Sequence, residues 1–296
     1  RRVDLAALEV GLGGRLDATN VVNPKVCAIA AIGMDHTRQL GNTPEQIAAE
    51  KAGIIKPGVP VVCAPQTPGV ERVIRDVAAE RQAPALFVGR EISMVARLLG
   101  HSQPRRWEVT VRTPNRAFDP LVCPLLGRHQ ASNLAVALGM VDQLMQAGMK
   151  LDVSGLATGL ERTAWPGRLD VRGRGPWLVL DGAHNPAGAR ALARHIERYY
   201  SGRRVHLIYS AMRDKAVSEA AGILFPLADE VILTAPGQPR AVRPETIRAL
   251  ADHPSMRLAP TVTEALEMAA GVPAGDVVFI TGSLYLVGEA RALLVQ

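Results

Sequence analysis

Long apolar runs, cysteines and aromatic side chains are all scarce in this sequence of 296 residues. No apolar run approaches the roughly 20 residues that a membrane-spanning helix needs, and no secretory signal is recognisable, so we expect no membrane association. The three cysteines, Cys27, Cys63 and Cys123, lie in apolar runs and form no Cys-x-x-Cys pair. They predict reduced, buried thiols in a cytoplasmic protein rather than disulfides or a zinc site.

Runs of like charge are also missing. The formal net charge is +6, but the basic residues are scattered along the chain, and aromatic residues make up only 4% of it. One interpretation is a solvated basic surface, and the other is attraction of anionic small molecules such as nucleotides and carboxylates. Nucleic acid is not an expected partner, because the basic residues are not interleaved with aromatic side chains on which bases could stack.

Length and composition predict an α/β protein with two domains. Hydrophobic residues make up 48% and charged residues 21% of the chain, as in ordinary globular proteins, and 296 residues exceed what one core usually holds. Short β-rich runs alternate with helix-length amphipathic stretches, which predicts a doubly wound, mainly parallel sheet. The Ala-Trp-Pro-Gly run at 164–167 breaks regular structure, so we expect domains at 1–163 and 164–296.

The predicted elements follow this alternation. In the first domain the expected strands are 5–10, 26–32, 59–63, 85–88, 107–111 and 117–123, the last two antiparallel, and the expected helices are 44–55, 69–81 and 129–145. In the second domain the expected strands are 177–180, 205–209, 230–233 and 277–281, and the expected helices are 186–200, 215–225, 244–251, 262–270 and 284–294. Thr43 is the expected N-cap of its helix, with Pro44 at the first helical position and Gln46 completing a capping box.

Glu9 follows a predicted strand and opens a glycine-rich loop. Ligands of open α/β sheets bind at the carboxyl ends of the strands, and a carboxylate there can hold Mg²⁺. Gly11, Gly13 and Gly14 would let the backbone approach a ligand closely. The alternative is a plain strand-to-loop turn with a solvated glutamate.

His36 and Lys51 follow the next predicted strand. His36 could ligate a metal through a ring nitrogen while Asp35 orients it, or it could simply be a surface histidine. Lys51 lies within the following helix. As an ammonium it could pair with a phosphate, and if carbamylated it would become an anionic oxygen ligand; the residues alone leave both open.

Four further motifs contain polar side chains at predicted element ends. Asn133 lies in Gly-Arg-His-Gln-Ala-Ser-Asn, at the start of a helix, where it could meet a nucleotide or serve in ordinary capping. Arg168 follows Pro-Gly at the domain boundary, and its rigid guanidinium fork could reach phosphate oxygens. Asp181 and His184 precede a helix that Asn185 and Pro186 are expected to begin. The motif Thr-Gly-Ser-Leu-Tyr at 281–285 is either a packing turn or part of a site.

In this order, the motifs closely resemble one family. The runs are EVGLGGRLDATNVV, DH, EKAGIIKPG, GRHQASN, PGRLD, DGAHNP and TGSLYLVGE. They resemble folylpolyglutamate synthase and the bifunctional dihydrofolate synthase of the Mur ligase superfamily, over residues 4–291. The resemblance implies an ATP-binding, P-loop-type central domain followed by a Rossmann-like C-terminal domain. It also implies a reaction in which ATP converts a pteroate or folate carboxylate to an acyl phosphate, which the amine of L-glutamate attacks.

The resemblance also implies roles for particular residues. Glu9 and His36 match Mg²⁺ ligands, of which the family has two sites, and Lys51 matches the carbamylated lysine. Leu16, Asp17 and Ala18 match the pterin-binding loop. The nucleotide contacts, from both domains, match Asn133, Arg168 and Asp181, and His184 matches a histidine near the transferred phosphate. Ser283 and Tyr285 would lie near the incoming glutamate. Lys51, Asp181 and His184 are thus the expected catalytic residues, and the family implies a cytoplasmic monomer.

The sequence departs from the family at one point. The Gly-Lys-Ser/Thr phosphate loop that precedes Glu9 in the family is missing from these 296 residues, and Gly11-Leu-Gly-Gly does not replace it. Since the chain also begins without Met and directly in a predicted strand, we expect a piece of a longer protein with little ligase activity of its own. Two alternatives stay open: a non-catalytic remnant that binds nucleotide, folate or a partner, and a Mur-type ligase for cell-wall precursors. The run at 16–20 argues against the second.

Overall fold

The computed structural model describes residues 3–100, 106–173, 176–213 and 216–294. The chain divides into two compact units. Unit 1 contains residues 1–124 and 128–162, and unit 2 contains residues 125–127 and 163–296. The main division therefore lies between Arg162 and Thr163, one residue from the boundary expected from the sequence.

Unit 1 is built around a short parallel sheet of strand order β1-β2-β3. The strands are β1 (Cys27–Ile29), β2 (Val61–Cys63) and β3 (Ala85–Phe87), and the helices are α1 (Thr37–Leu40), α2 (Pro44–Ala52) and α3 (Pro68–Glu80). All of β2 is buried, as a central strand covered on both faces requires. Helices α2 and α3 add buried residues at helical spacing, such as Ile74 and Ala78, to the same core.

A second sheet of unit 1 is antiparallel, in the order β4-β5-β6. It contains β4 (Ser93–Leu99), β5 (Arg106–Arg112) and β6 (Ala117–Cys123), and it is followed by α4 (Arg128–Gln146) and α5 (Leu156–Glu161). Alternate residues of β5, namely Trp107, Val109 and Val111, are buried, so one face of this sheet meets the core. The antiparallel pairing of β5 with β6 was predicted, whereas β4 was not.

Unit 2 is a six-stranded sheet of order β11-β10-β9-β12-β8-β7. Its strands are β7 (Asp170–Arg172), β8 (Trp177–Leu180), β9 (Val205–Tyr209), β10 (Glu230–Leu233), β11 (Met256–Leu258) and β12 (Val277–Thr281). Its helices are α6 (Pro186–Tyr199), α7 (Val217–Leu224), α8 (Pro244–Leu250), α9 (Val262–Ala269) and α10 (Leu284–Leu294). All pairings are parallel except that of β7 with β8. Separate hydrophobic clusters cover the two faces of this sheet, which confirms the predicted doubly wound architecture.

The predicted helix starts have the expected side-chain caps. The hydroxyl of Thr43 accepts a hydrogen bond from the N–H of Gln46, and the side chain of Asn185 accepts one from Gly188. The capping box at α2 differs in one detail, because the Gln46 side chain accepts from the N–H of Asn42 rather than from Thr43. All three cysteines are buried and free, as predicted.

The strand expected at 5–10 is wrong. This segment is without regular structure, and Leu5 and Leu8 are exposed. Among the described residues, β1 pairs with β2 alone, so the segment makes no ladder that would hold it as a strand. Strands β7 and β11 were missed because, unlike the equally short β1, β2 and β3, they contain no buried apolar run. The helix expected from 215 begins at Val217; Lys215 itself lies outside the described residues.

None of the helices in the described ranges combines the length and apolarity that crossing a lipid bilayer requires.

Candidate functional site

The carboxylate of Asp181 organises the carboxyl end of β8 in unit 2. One oxygen accepts a hydrogen bond from the N–H of Leu169, and the other accepts one from the N–H of Ala183, each at 2.9 Å. Asp181 is only 8% exposed. Burial raises the pKa of this carboxyl above its usual range, although the two hydrogen bonds and the neighbouring Arg168 and His184 act in the opposite direction.

Arg168 lies beside this carboxylate because two loops pack directly on one another. The N–H of Gly182 donates to the carbonyl oxygen of Gly167 at 2.8 Å. A side-chain carbon at position 182 would overlap both Leu284 and the guanidinium of Arg168, so only glycine leaves room for that guanidinium. The expected site residues Arg168 and Asp181 are therefore brought together in unit 2.

His184 is oriented by its own loop. Its Nδ1 lies 2.8 Å from the carbonyl oxygen of Gly182. Because a carbonyl oxygen only accepts, Nδ1 must bear the proton, and in the neutral ring Nε2 then holds the lone pair. The half-buried imidazole stands immediately before Asn185, the N-cap of α6. Its Nε2 can accept a proton or, once protonated, donate to an anionic oxygen.

Ser283 and Tyr285 follow β12, the neighbour of β8. Gly282 donates its N–H to the carbonyl oxygen of Ala183 at 2.9 Å, which joins the ends of the two strands. Ser283 is 1% exposed, and its hydroxyl accepts a hydrogen bond from the backbone of Tyr285. Tyr285 is 42% exposed, and its hydroxyl accepts from a guanidinium nitrogen of Arg240 at 3.1 Å. Of the two, the tyrosine can meet a ligand, whereas the serine serves as a buried cap.

Sequence reasoning missed the arginines around this edge. The N–H of Arg213 donates to the carbonyl oxygen of Arg240 at 3.1 Å, which joins the loops after β9 and β10. A cavity of about 570 Å³ lies beside these loops, and its lining includes Arg213, Arg243, Ser218 and Thr246. Guanidinium and hydroxyl groups suit anionic ligands. Arg213 and Arg243 come from two separate loops, and Ser218 and Thr246 come from the helices α7 and α8. They share no motif spacing, so only the fold reveals that they are neighbours.

In unit 1, Glu9 and Lys51 line the same cavity, which has a volume of about 690 Å³. Asn20, Lys25 and Lys56 also line it. His36 is not in this lining; it is the N-cap of α1, with a left-handed backbone (φ 50°) and its Nε2 3.9 Å from a carboxylate oxygen of Asp35. The structure therefore brings two of the three expected metal ligands to one cavity.

These residues do not by themselves make a complete Mg²⁺ site. In the described part of the chain, no group of three or more His, Cys, Asp or Glu side chains is arranged to hold a metal ion. Glu9 supplies one carboxylate, and a protonated Lys51 has no lone pair to offer. Lys51 would add oxygen ligands only after carbamylation, so its role and that of magnesium stay predictions from the resemblance.

The loop with Leu16, Asp17 and Ala18 is shaped from within. One oxygen of Asp17 accepts from the N–H groups of Gly11 and Leu12, each at 3.0 Å. The other accepts from the hydroxyl and N–H of Thr19, at 2.6 and 2.9 Å. These bonds lower the pKa of Asp17 to about 2, and the bond from the Thr19 hydroxyl has the largest effect. The carboxylate thus maintains the loop, while the neighbouring Leu16 side chain is 81% exposed.

Asn133 lies on the exposed face of α4, where its amide donates to Gln130 at 3.0 Å. Met140, two helical turns further along the same face, lines the cavity of Glu9 and Lys51. Asn133 thus belongs to unit 1, whereas Arg168 and Asp181 belong to unit 2.

Comparison with known proteins matches both halves of the chain. Residues 1–141 match the family described as Mur ligase middle domain, and residues 167–284 match Mur ligase, glutamate ligase domain. The dihydrofolate synthase/folylpolyglutamate synthase of Bacillus subtilis is 33% identical over 297 residues, covering 99% of this chain and 68% of that protein. The chain belongs to the dihydrofolate and folylpolyglutamate synthase family of Mur ligases.

Other members of the family support this assignment. The Mycobacterium tuberculosis synthase is 33% identical over 98% of this chain and 64% of its own length. The structure of Mycobacterium tuberculosis folylpolyglutamate synthase complexed with ADP has a TM-score of 0.87 and 30% identity, over 97% of this chain and 67% of that one. E. coli FolC in complex with DHPP and ADP has a TM-score of 0.83 and 26% identity, over 96% of this chain and 65% of that one. The chain spans about two thirds of the length of these relatives.

Proposed function

We propose that the full-length protein is an ATP-dependent ligase that joins L-glutamate to dihydropteroate, to folyl-(poly)glutamate, or to both, through an acyl phosphate. The observation that carries the proposal is the cluster at the end of β8, where Arg168 and His184 flank the buried carboxylate of Asp181. Relatives with the same two domains have been solved with ADP, and one with ADP and DHPP.

Each residue of the cluster has a distinct part in this proposal. Asp181 holds the loops of Arg168 and Ala183 through its two backbone hydrogen bonds. Arg168 lies against Gly182, where a guanidinium can neutralise phosphate oxygens as charge moves between them. His184, oriented through Nδ1, directs Nε2 to accept or donate a proton at an oxygen of the transferred group. Tyr285 and Arg240 offer a hydroxyl and a positive charge to the carboxylates of glutamate.

In unit 1, the loop of Leu16, Asp17 and Ala18 would bind the pterin substrate whose carboxylate accepts glutamate. The exposed Leu16 side chain offers an apolar contact for a flat pterin ring, and the internal bonds of Asp17 hold the loop in one shape. Asn133 would contact the nucleotide. Magnesium would be held by Glu9 and carbamylated Lys51 at their shared cavity and by His36, which lies outside the lining of that cavity. It would supply positive charge that neutralises the phosphate oxygens.

For the 296-residue chain alone, we propose little or no ligase activity. It has no Gly-Lys-Ser/Thr sequence to cradle the triphosphate. This favours binding without turnover for the isolated chain. Glutamate-dependent ADP release by the purified chain, lost in Glu9→Ala, would contradict this part of the proposal.

The decisive experiment measures glutamate-dependent ADP release by the full-length protein, with dihydropteroate, a folyl-glutamate or a UDP-sugar acid as acceptor. We expect turnover with one or both pterin acceptors and none with the sugar acid. Arg168→Met should lower kcat/KM by about 100-fold or more, as loss of a charge aimed at the transferring group does. The matched control is Arg172→Met, since Arg172 pairs with Asp170 on β7 and should matter little. Turnover with the sugar acid, or equal effects of the two variants, would refute the proposal.

A further inference from the structure

The loop that contains Leu16 is fixed to α2 just before that residue. The N–H of Arg15 donates to the carbonyl oxygen of Glu50 at 2.9 Å, and its guanidinium binds the Glu50 carboxylate at 2.8 Å. The two backbones approach so closely that a side-chain carbon at Gly14 would lie 2.9 Å from the carbonyl oxygens of Glu50 and Lys51. Loop and helix therefore pack through their backbones at this point.

Asn20 makes the corresponding attachment after the loop. Its side-chain amide donates to the carbonyl oxygen of Arg15 at 2.9 Å and to that of Gly53 at 3.2 Å. The carbonyl oxygen of Asn20 in turn accepts from the ammonium of Lys56 at 2.8 Å. Both N–H groups of one amide are thus used, one to close the loop and the other to fasten it to the C-cap of α2.

The two attachments do not contribute equally. Arg15 is 57% exposed, and exposed ion pairs contribute little because water screens them and long side chains lose entropy in forming them. Asn20 is half-buried, and its loss would leave the part-buried carbonyl oxygen of Gly53 without its partner, which is the more costly change. Of these two side chains, Asn20 therefore contributes more to holding the loop against α2.

Lys51 lies on the same helix, two residues before Gly53. Lys51 lines the same cavity as Asn20, Lys56 and Glu9. We propose that Asn20 is a positioning residue: it sets the acceptor loop of Leu16, Asp17 and Ala18 against the helix of Lys51, and thereby controls the affinity for the pterin acceptor but not for the nucleotide. This inference rests on the proposed function.

The test uses Asn20→Asp, which keeps the shape of the side chain and removes both donors. In the 296-residue chain, amide hydrogen exchange should become faster across residues 11–22 and stay unchanged in unit 2. In the full-length protein, the Kd for dihydropteroate or the folyl-glutamate should rise by about tenfold, the effect expected from two lost hydrogen bonds. The Kd for ADP should stay within about twofold. The matched control is Asn42→Asp, at an exposed asparagine that takes part in its turn through its backbone.

Three results would overturn the inference: acceptor binding like that of wild type, equal losses of acceptor and ADP binding, or unchanged exchange in the loop. The second result would indicate a general structural defect rather than positioning. Failure of the proposed function is distinguishable, because it would appear in the wild-type full-length protein as absence of acceptor binding. Failure of the inference would appear in the variant alone.

Discussion

The carboxylate of Asp181 accepts a hydrogen bond from the N–H of Leu169, twelve residues earlier in the chain. Leu169 has a positive φ of 48°, which is uncommon for a residue with a side chain. The hydrogen bond that Leu169 donates to the buried carboxylate helps to hold this conformation, and Arg168 directly precedes Leu169. The direction of Arg168 therefore depends on a residue that the chain reaches only after strands β7 and β8.

Asp181→Asn should change how stability depends on pH. Burial raises the folded-state pKa of Asp181 above that of the unfolded chain. The contribution of Asp181 to folding stability is therefore complete at acidic pH and is lost as pH rises through the folded pKa. The asparagine variant has no such loss. Its melting temperature relative to wild type should therefore be higher at pH 7.5 than at pH 4, while ADP binding is weakened. The same difference in melting temperature between variant and wild type at pH 4 and at pH 7.5 would contradict this.

Gly182→Ala should destabilise unit 2 by about 1–3 kcal/mol, the usual range for a side chain forced into filled space. The added carbon would overlap Leu284 and Arg168, and one of them must move. Urea unfolding of the 296-residue chain measures the effect. The matched control is Gly222→Ala in α7, where the surroundings are open, and which should stabilise by about 0.5–1 kcal/mol. If Gly182→Ala leaves the free energy of unfolding unchanged, the two loops can move apart to make room for the added carbon.

Asp17→Asn should loosen the loop at 11–22 at neutral pH. The folded-state pKa of Asp17 is about 2, below the ordinary value of 3.8, so the carboxylate contributes stability above pH 3.8 and loses it as pH falls towards 2. Amide exchange in the loop of wild type should accelerate between pH 4 and pH 2, after correction for intrinsic rates. In the variant it should be fast throughout. A carboxyl titration of Asp17 near its ordinary value would refute the internal bonding.

His206→Gln should weaken unit 2 far from the candidate site. The ring of His206 on β9 lies between two carboxylates, with Nδ1 3.2 Å from Glu230 on β10 and Nε2 3.0 Å from Asp276 beside β12. Without the ring, two half-buried carboxylates lose a partner, so we expect a loss of about 1–3 kcal/mol in urea unfolding at pH 7.

The contacts of His206 also predict that the stability of unit 2 depends on pH. Burial raises the pKa of Glu230, but hydrogen bonds from His206 and Arg257 outweigh it, and the pKa is lowered from 4.5. Glu230 therefore stabilises the fold above pH 4.5 and less so as pH falls through its folded pKa. In Glu230→Gln, the free energy of unfolding should no longer fall with pH through the titration of this carboxylate. Identical acid sensitivity of wild type and Glu230→Gln would argue against it.

Much of the fold could be predicted from local patterns. Buried apolar runs such as those of β9 and β12 are long enough to be recognised, and side-chain caps such as Asn185 mark helix starts. Strands β7 and β11 are three residues long and only partly buried, so they lack the buried apolar run by which the equally short β1, β2 and β3 could be recognised. The segment at 5–10 has the composition of a strand, but a strand also needs a hydrogen-bonded neighbour, which no local pattern can supply.

The order of the motifs by itself determined the family and the candidate site residues, because Asp181, His184 and Arg168 lie within short runs whose spacing is visible along the chain. Only the tertiary structure decided which of them meet. It packed Arg168 over Gly182, buried Ser283 as a helix cap, and joined the loops of Arg213 and Arg240. Local sequence specifies strands, turns and caps through short-range sterics and hydrogen bonds, whereas contacts between distant loops depend on strand order, which many segments set together.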